Sequence, residues 1–181
     1  MLIKLMAAQQ KWATPKVLII LTIVYFIFPL YLLPMILPEG RPLDLHLYYS
    51  ADEAFKLIAS YGEENRKAYI VGSATIDILY PLCYSTFLGL VLTFFITRIY
   101  GSHDKINYLR VFPYTILVAD IFENLSIISL LSQYPFENRT LAFVASLLTS
   151  TKWFLFAIVV LMLLYFPIRY YNDRKDKQLL H

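Results

Sequence analysis

The 181-residue chain is rich in apolar side chains and poor in charge. Hydrophobic residues make up 59% of it and charged residues 16%, whereas a soluble domain typically carries about 25% charged residues. This shortfall predicts a lipid-facing protein. The basic residues show no continuous basic face, which argues against nucleic acid as a partner. The single cysteine, Cys83, rules out an intrachain disulfide and a cysteine-based zinc site.

Four apolar runs predict the architecture, because each reaches the roughly 20 residues needed to cross a bilayer. They lie at residues 17–37, 68–97, 111–131 and 141–168. The first run is longer than the apolar core of a cleaved signal peptide, so we expect it to be retained. The pattern predicts an all-α, integral membrane four-helix bundle that forms one domain over residues 1–181. An outer loop at 38–67 and a tail at 169–181 complete it.

The distribution of lysine and arginine predicts the orientation, since cytoplasmic loops carry the excess of these residues. The segment before the first run has three lysines and no acid, and "RIYGSHDKINYLR" and "RYYNDRKDKQ" are also mainly basic. The loop at 38–67 has four basic and six acidic residues. We therefore expect both termini in the cytoplasm and the protein in the plasma (inner) membrane.

The loop between the first two runs contains the signature of a short amphipathic helix. In "SADEAFKLIASYG", Ser50 and Glu53 have the spacing of a capping box, and Gly62 is a natural helix terminator. The apolar residues at helical spacing on one face are Ala51, Ala54, Phe55, Ile58 and Tyr61. This outer helix either covers the bundle or simply connects its first two spans.

Ionisable side chains lie deep inside three of the apolar runs: Asp77, Asp120, Glu123 and Lys152. Each costs about 2.5–3.5 kcal/mol at the centre of a membrane helix, so such groups face the bundle interior and find partners. A rise of about 1.5 Å per residue places them at overlapping depths. Helical side chains lean toward the helix N-terminus, which brings Lys152 and the acids of the third run toward one level. We expect Lys152 to contact Glu123 or Asp120.

Pro81 adds a further unsatisfied group to this region. Proline lacks an N–H, so the carbonyl four residues earlier, that of Asp77, loses its helical partner. Three acids also face one lysine, and spare acceptors in lipid need something to fill them. We expect water, a proton, a cation or the polar head of a ligand. The predicted polar pocket opens toward the first loop and is lined by Asp77, Tyr80, Tyr84, Asp120, Glu123, Asn124 and Lys152.

The sequence leaves several functions open. The first is a transporter or ligand-binding protein whose acid–lysine cluster holds a proton, a cation or a small or lipid-like ligand. The second is an intramembrane enzyme acting on a lipid or isoprenoid, with Glu123 or Asp77 as general acid or base. The third is an accessory subunit, paired with itself or with a membrane partner, whose ion pair only fixes helix register. No histidine and no hydrolase motif lies in the apolar runs, so we expect no metal site and no cofactor.

Overall fold

The computed structural model describes residues 2–35, 41–101 and 104–179 as an all-helical chain, with no strand in these ranges. Residues 1, 36–40, 102–103 and 180–181 lie outside the described residues. Residues 36–40 belong to the predicted first span and outer loop, and residues 180–181 to the predicted tail. The α-helices are α1 (Leu2–Trp12), α2 (Pro15–Ile27), α3 (Ala51–Ser60), α4 (Gly62–Ala74), α5 (Ile76–Tyr100), α6 (Pro113–Gln133) and α7 (Arg139–Leu179).

Within the described ranges, four helical segments are long and apolar enough to cross a membrane. They are Pro15–Met35, Gly62–Tyr100, Lys105–Gln133 and Arg139–Asp176, and we refer to them as the first to fourth segments. The last three contain the corresponding predicted runs, and the first overlaps its run up to residue 35. The second and fourth extend well beyond them, because α4 begins at Gly62 and α7 continues through most of the predicted tail.

The helix ends follow from their local sequence. The Thr14 hydroxyl accepts from the backbone N–H of Val17, and Pro15 occupies the first turn of α2, where its missing N–H costs nothing. The capping box of α3 is confirmed, since Ser50 and Glu53 cap each other reciprocally. Gly62, the first residue of α4, has φ of 72°, a left-handed conformation that glycine adopts without strain.

The second segment is not one continuous helix. It breaks at Thr75, whose backbone dihedrals are φ −126° and ψ −87°. Pro81, by contrast, lies inside α5 without ending it. The break therefore falls two residues before Asp77, and α5 starts beside this carboxylate.

Helices α5, α6 and α7 pack against one another and α4 packs on α6, which together form the interior. The apolar core is divided along the bundle. One cluster beside α3 includes Phe55, Ile58 and Ile127, and a middle cluster contains Leu88, Ile116 and Val159. A third, around Ile96 and Phe166, lies near the C-terminal end of α5 and beside the part of α7 that leads into the tail. The polar side chains described below lie between the first two clusters.

The two N-terminal helices attach to the outside of this interior. No residue of α2 is buried, although the helix is almost entirely apolar. Helix α1 docks on α5, and its Gln9 amide donates at 3.0 Å to the carbonyl of Arg110, which lies in the 3-10 helix before α6. This contact requires Gly89, because a Cβ at this position would lie 2.7 Å from the Gln9 amide nitrogen.

Candidate functional site

The predicted contact of Lys152 is confirmed. Its ammonium nitrogen lies 2.5 Å from Oε2 of Glu123 and 3.9 Å from Oδ1 of Asp120. The two acids are three residues apart, so they project from the same face of α6, and α7 brings the lysine to that face. All three residues are buried, so this is an ion pair in the interior and not a surface contact.

Glu123 is the most enclosed member of the cluster. It has no exposed surface, and its Oε1 accepts a hydrogen bond of 2.5 Å from the Thr149 hydroxyl. Thr149 lies three residues before Lys152 on α7, so one face of α7 supplies partners to both carboxylate oxygens. The sequence analysis assigned no role to Thr149, whose hydroxyl also bonds the preceding turn of its own helix.

Asp120 receives hydrogen bonds from two neighbours. The Tyr84 hydroxyl donates to its Oδ2 at 2.6 Å, and the Asn124 amide lies 3.3 Å from its Oδ1. With Lys152 at 3.9 Å from that same Oδ1, both carboxylate oxygens of Asp120 have partners. Tyr84 thereby ties the second segment to the third.

The carbonyl that Pro81 leaves free has found its donor. The side-chain amide of Asn124 donates to the backbone oxygen of Asp77 at 3.0 Å. Asn124 is itself buried, so solvent does not compete for this amide. The amide bridges the irregular turn of α5 to α6 and holds Asp77 against the cluster.

The Asp77 carboxylate itself is different from the other acids. Within the described residues it takes part in no hydrogen bond and no salt bridge, although only 7% of the residue is exposed. It contributes to the lining of a cavity. An acceptor that is buried without a partner costs several kcal/mol in an apolar medium, so it is expected to be filled.

The loop before α3 supplies contacts that the sequence analysis did not predict. Asp44 is buried, and its carboxylate accepts from the Tyr69 hydroxyl at 2.6 Å. Its backbone carbonyl lies 3.2 Å from the indole nitrogen of Trp153 and 3.5 Å from the Lys152 ammonium. Asp44 therefore adds a fourth acid to the region and ties the loop to the lysine.

Two further hydrogen bonds fasten this loop along α7. The Ser146 hydroxyl accepts from the backbone N–H of Tyr49 at 3.0 Å, and the Ser150 hydroxyl donates to the Leu47 carbonyl at 2.8 Å. Because the two serines are four residues apart, they lie on the same face of the helix. Loop residues 41–50 thus run in an ordered conformation across the cluster, and we call them the strap. Burial raises the pKa of the Tyr49 phenol above its ordinary value, so this tyrosine stays neutral.

A cavity of about 330 Å³ lies beside the cluster. Five of the seven predicted site residues line it, together with side chains from the strap and all four segments. The full lining is Tyr25, Leu33, Asp44, Leu45, Asp77, Tyr80, Tyr84, Ile116, Asp120, Lys152, Trp153 and Phe156. Glu123 and Asn124 lie behind this wall, where they hold Lys152 and the Asp77 carbonyl. The loop residues on the wall come from the strap and none belongs to α3.

The described residues contain no group of three or more histidine, cysteine, aspartate or glutamate side chains arranged to hold a metal ion. The acids are instead spread over a loop and two helices around one ammonium. In this arrangement the charged groups are hydrogen-bonded or ion-paired, except that the Asp77 carboxylate has no partner among the described residues.

No protein-family model, curated protein or solved structure matches the chain. The chain is therefore characterised by what it contains. It is an all-helical protein with four segments capable of crossing a membrane, and it has a buried lysine–carboxylate cluster at the wall of a cavity.

Proposed function

We propose that this chain is a multi-pass membrane protein whose cavity binds a small ligand or cation at the unpaired carboxylate of Asp77. The observation that carries the proposal is the contrast between the acids. Glu123 and Asp120 have partners on both carboxylate oxygens, whereas Asp77 lines the cavity without one.

The membrane setting is supported by where the apolar side chains lie. Large hydrophobic residues are exposed along all four segments, including Ile20, Leu79, Phe122 and Leu161. Soluble proteins rarely expose apolar surface on this scale, and in a bilayer this surface faces lipid. The basic residues before the first segment and in the tail favour cytoplasmic termini. In that orientation, α3 and the strap lie on the outer side.

A purely structural role accounts for only part of the cluster. An ion pair that fixes helix register needs one acid for its one base, and Glu123 meets that need at 2.5 Å from Lys152. Asp44, Asp77 and Asp120 are then in excess. A bound positive or proton-donating group at the cavity would offset the cost of keeping these acids out of water.

The cavity has apolar side chains on its far side. Beyond Tyr84 the interior is filled by Leu88, Ile116 and Val159, followed by the cluster around Ile96 and Phe166. The carboxylates of the cluster therefore do not continue past Tyr84 toward the tail end of the bundle, where the buried polar residues include Thr93, Asn107 and Arg110. This supports a binding site, or one closed state of a carrier, over an open conducting path.

The enzyme hypothesis has a specific observation in its favour. In the part of the chain that the structure describes, the Asp77 carboxylate has no partner, and it shares the cavity wall with the hydroxyl-bearing residues Tyr80 and Tyr84. Glu123 is enclosed and paired, so in an intramembrane enzyme Asp77 is the better general acid or base. Chemical turnover of the bound molecule would distinguish this role from simple binding.

Native mass spectrometry of the protein released from its own membranes tests the proposal. Wild-type protein is expected to retain a small molecule, and Asp77→Asn to retain less of it. Leu45 lines the cavity and is 42% exposed, so Leu45→Trp should block the site without disturbing the core.

Leu47→Trp is the matched control, because Leu47 lies two residues further along the same strap, is 67% exposed and does not line the cavity. This variant should retain the molecule at the wild-type level. Protein that carries no small molecule, or that carries it equally in both tryptophan variants, would contradict the proposed site.

A further inference from the structure

We infer that the occupant of the cavity is an organic ammonium, a protonated or quaternary amine with an apolar body, held between a continuous arc of aromatic rings and the carboxylates of Asp77 and Asp120. This inference rests on the proposed binding function and names the chemical class of its ligand. It follows from the rings, from the balance of charge and from the size of the cavity.

The aromatic rings of the cavity wall touch one another in sequence. The ring of Tyr25 on α2 lies 6.0 Å from that of Tyr80, which is 5.2 Å from Tyr84. Tyr84 lies 6.4 Å from Phe156, and Phe156 lies 6.0 Å from Trp153. All five residues line the cavity. The arc thus runs from the first segment through the second to the fourth.

Rings arranged around a cavity form the typical environment of an ammonium group. The face of each ring carries partial negative charge and attracts a cation within about 6 Å, most strongly when water is excluded. The same rings provide apolar contact for the hydrocarbon part of a ligand. An aromatic arc alone also suits a neutral apolar molecule. The charge of the wall therefore decides between a neutral ligand and an ammonium.

The balance of charge on the wall favours a cation. The Lys152 ammonium is compensated by Glu123 at 2.5 Å, and Asp120 lies 3.9 Å from it. Among the described residues, the Asp77 carboxylate has no partner and the Asp44 carboxylate has only the Tyr69 hydroxyl. An anionic head would add to this excess of acid, and an uncharged head would leave it uncompensated. A single ammonium would reduce it.

The size and lining of the cavity favour an organic cation over a bare ion. Its volume of about 330 Å³ falls within the range of small-molecule pockets, about 300–1,000 Å³, and exceeds the roughly 30 Å³ of one water molecule many times over. Hard inorganic cations require several converging oxygen ligands. The apolar and aromatic side chains Leu33, Ile116 and Phe156 occupy much of the wall instead.

The chain provides its own site-specific reporter for a binding test. It contains two tryptophans, and Trp153 lies in the arc while Trp12 lies in α1. In full-length Trp12→Phe protein in lipid vesicles, which contain no other protein, all tryptophan fluorescence therefore comes from the site. The probes are benzyltrimethylammonium and neopentylbenzene, which have the same shape and differ by one charge. We expect the cation to change the Trp153 emission saturably and to bind at least about tenfold more tightly than its neutral isostere.

Two sets of variants test the carboxylate of Asp77 and the aromatic arc separately. Asp77→Asn should weaken the cation by about tenfold or more and leave the neutral probe unchanged. Tyr80→Leu should weaken the cation, whereas Tyr80→Phe, which keeps the ring, should bind it as the parent protein does. Circular dichroism of each variant establishes that it is folded before binding is compared.

The possible failures are distinct. If both probes bind equally and Asp77→Asn has no effect, the ligand is a neutral amphiphile. The ammonium assignment is then overturned, while the proposed cavity function stands. If neither probe binds, the assignment is likewise overturned. Native mass spectrometry then decides separately whether the cavity binds a ligand at all, because the small molecule retained by wild-type protein should be lost in Leu45→Trp.

Discussion

Replacing Lys152 by methionine is expected to destabilise the protein through the acid that it strands. The substitution keeps the length and apolar stem of the side chain and removes only the charge. Glu123 has no exposed surface and lies 2.5 Å from the lysine ammonium, so its carboxylate would lose the one cation that pairs with it among the described residues. Removing one partner of a buried pair costs about 3–5 kcal/mol. We expect the free energy of unfolding of Lys152→Met to fall by that amount.

The double variant Lys152→Met with Glu123→Gln should recover much of this loss. A glutamine at 123 is uncharged and keeps an oxygen that can accept from Thr149, which now bonds the carboxylate at 2.5 Å. The remaining loss should then be about that of ordinary hydrogen bonds, roughly 1–2 kcal/mol. The sum of the two single-variant losses in unfolding free energy should therefore exceed the loss of the double variant by about 2 kcal/mol or more.

The assay is reversible unfolding in mixed micelles with increasing dodecyl sulfate, followed by circular dichroism. The control is Lys67→Met, which breaks an exposed pair with a nitrogen–oxygen distance of 2.6 Å between side chains that are each 72% exposed. It should produce no measurable loss, because water replaces the partner. If the losses of the Lys152 and Glu123 single variants simply add in the double variant, the pair is not energetically coupled and the reasoning fails.

Further predictions concern the surrounding framework. Asn124→Leu removes the donor to the carbonyl freed by the proline and should cost about 1–3 kcal/mol in the same unfolding assay. Gly89→Ala displaces the Gln9 amide, which lies 2.7 Å from the new Cβ, so hydrogen exchange should accelerate in α1 and not in α6. Ser50 lowers the pKa of Glu53 through hydrogen bonds, so Ser50→Ala should raise it when followed by NMR. Because that pKa is depressed, the stability contributed by the cap is present above the ordinary glutamate pKa and lost as pH falls through the folded value. Reporter fusions in the tail and in α3 should report opposite sides of the membrane.

The parts of the structure that follow local rules could be predicted from the sequence. The length of the apolar runs indicated the four segments, and the capping box with its apolar face indicated α3. The pairing of Lys152 with the acids of α6 followed from depth and helix periodicity. The missing N–H of proline predicted that the Asp77 carbonyl needs another partner, but it did not identify Asn124 as the donor.

The remaining features depend on tertiary contacts that have no periodic signature. Asp44 lies in a loop, and its role at Lys152 and Trp153 is carried by a backbone carbonyl, which every residue possesses. The break at Thr75 was hidden because the apolar run continues across it. Helical periodicity put Glu123 in the polar interior but could not show that Thr149 and Lys152 would enclose it behind the wall of the cavity.

The most direct test of the account is the reactivity of the acids toward dicyclohexylcarbodiimide, an apolar reagent that modifies accessible carboxyl groups inside membranes. Peptide mass spectrometry can measure the modification rate at each acid. The account predicts that Asp77 reacts faster than Glu123, and that Leu45→Trp slows the reaction while Leu47→Trp does not. Equal reactivity of Asp77 and Glu123, or a rate at Asp77 that Leu45→Trp leaves unchanged, would contradict the claim that Asp77 is the open position of a ligand cavity.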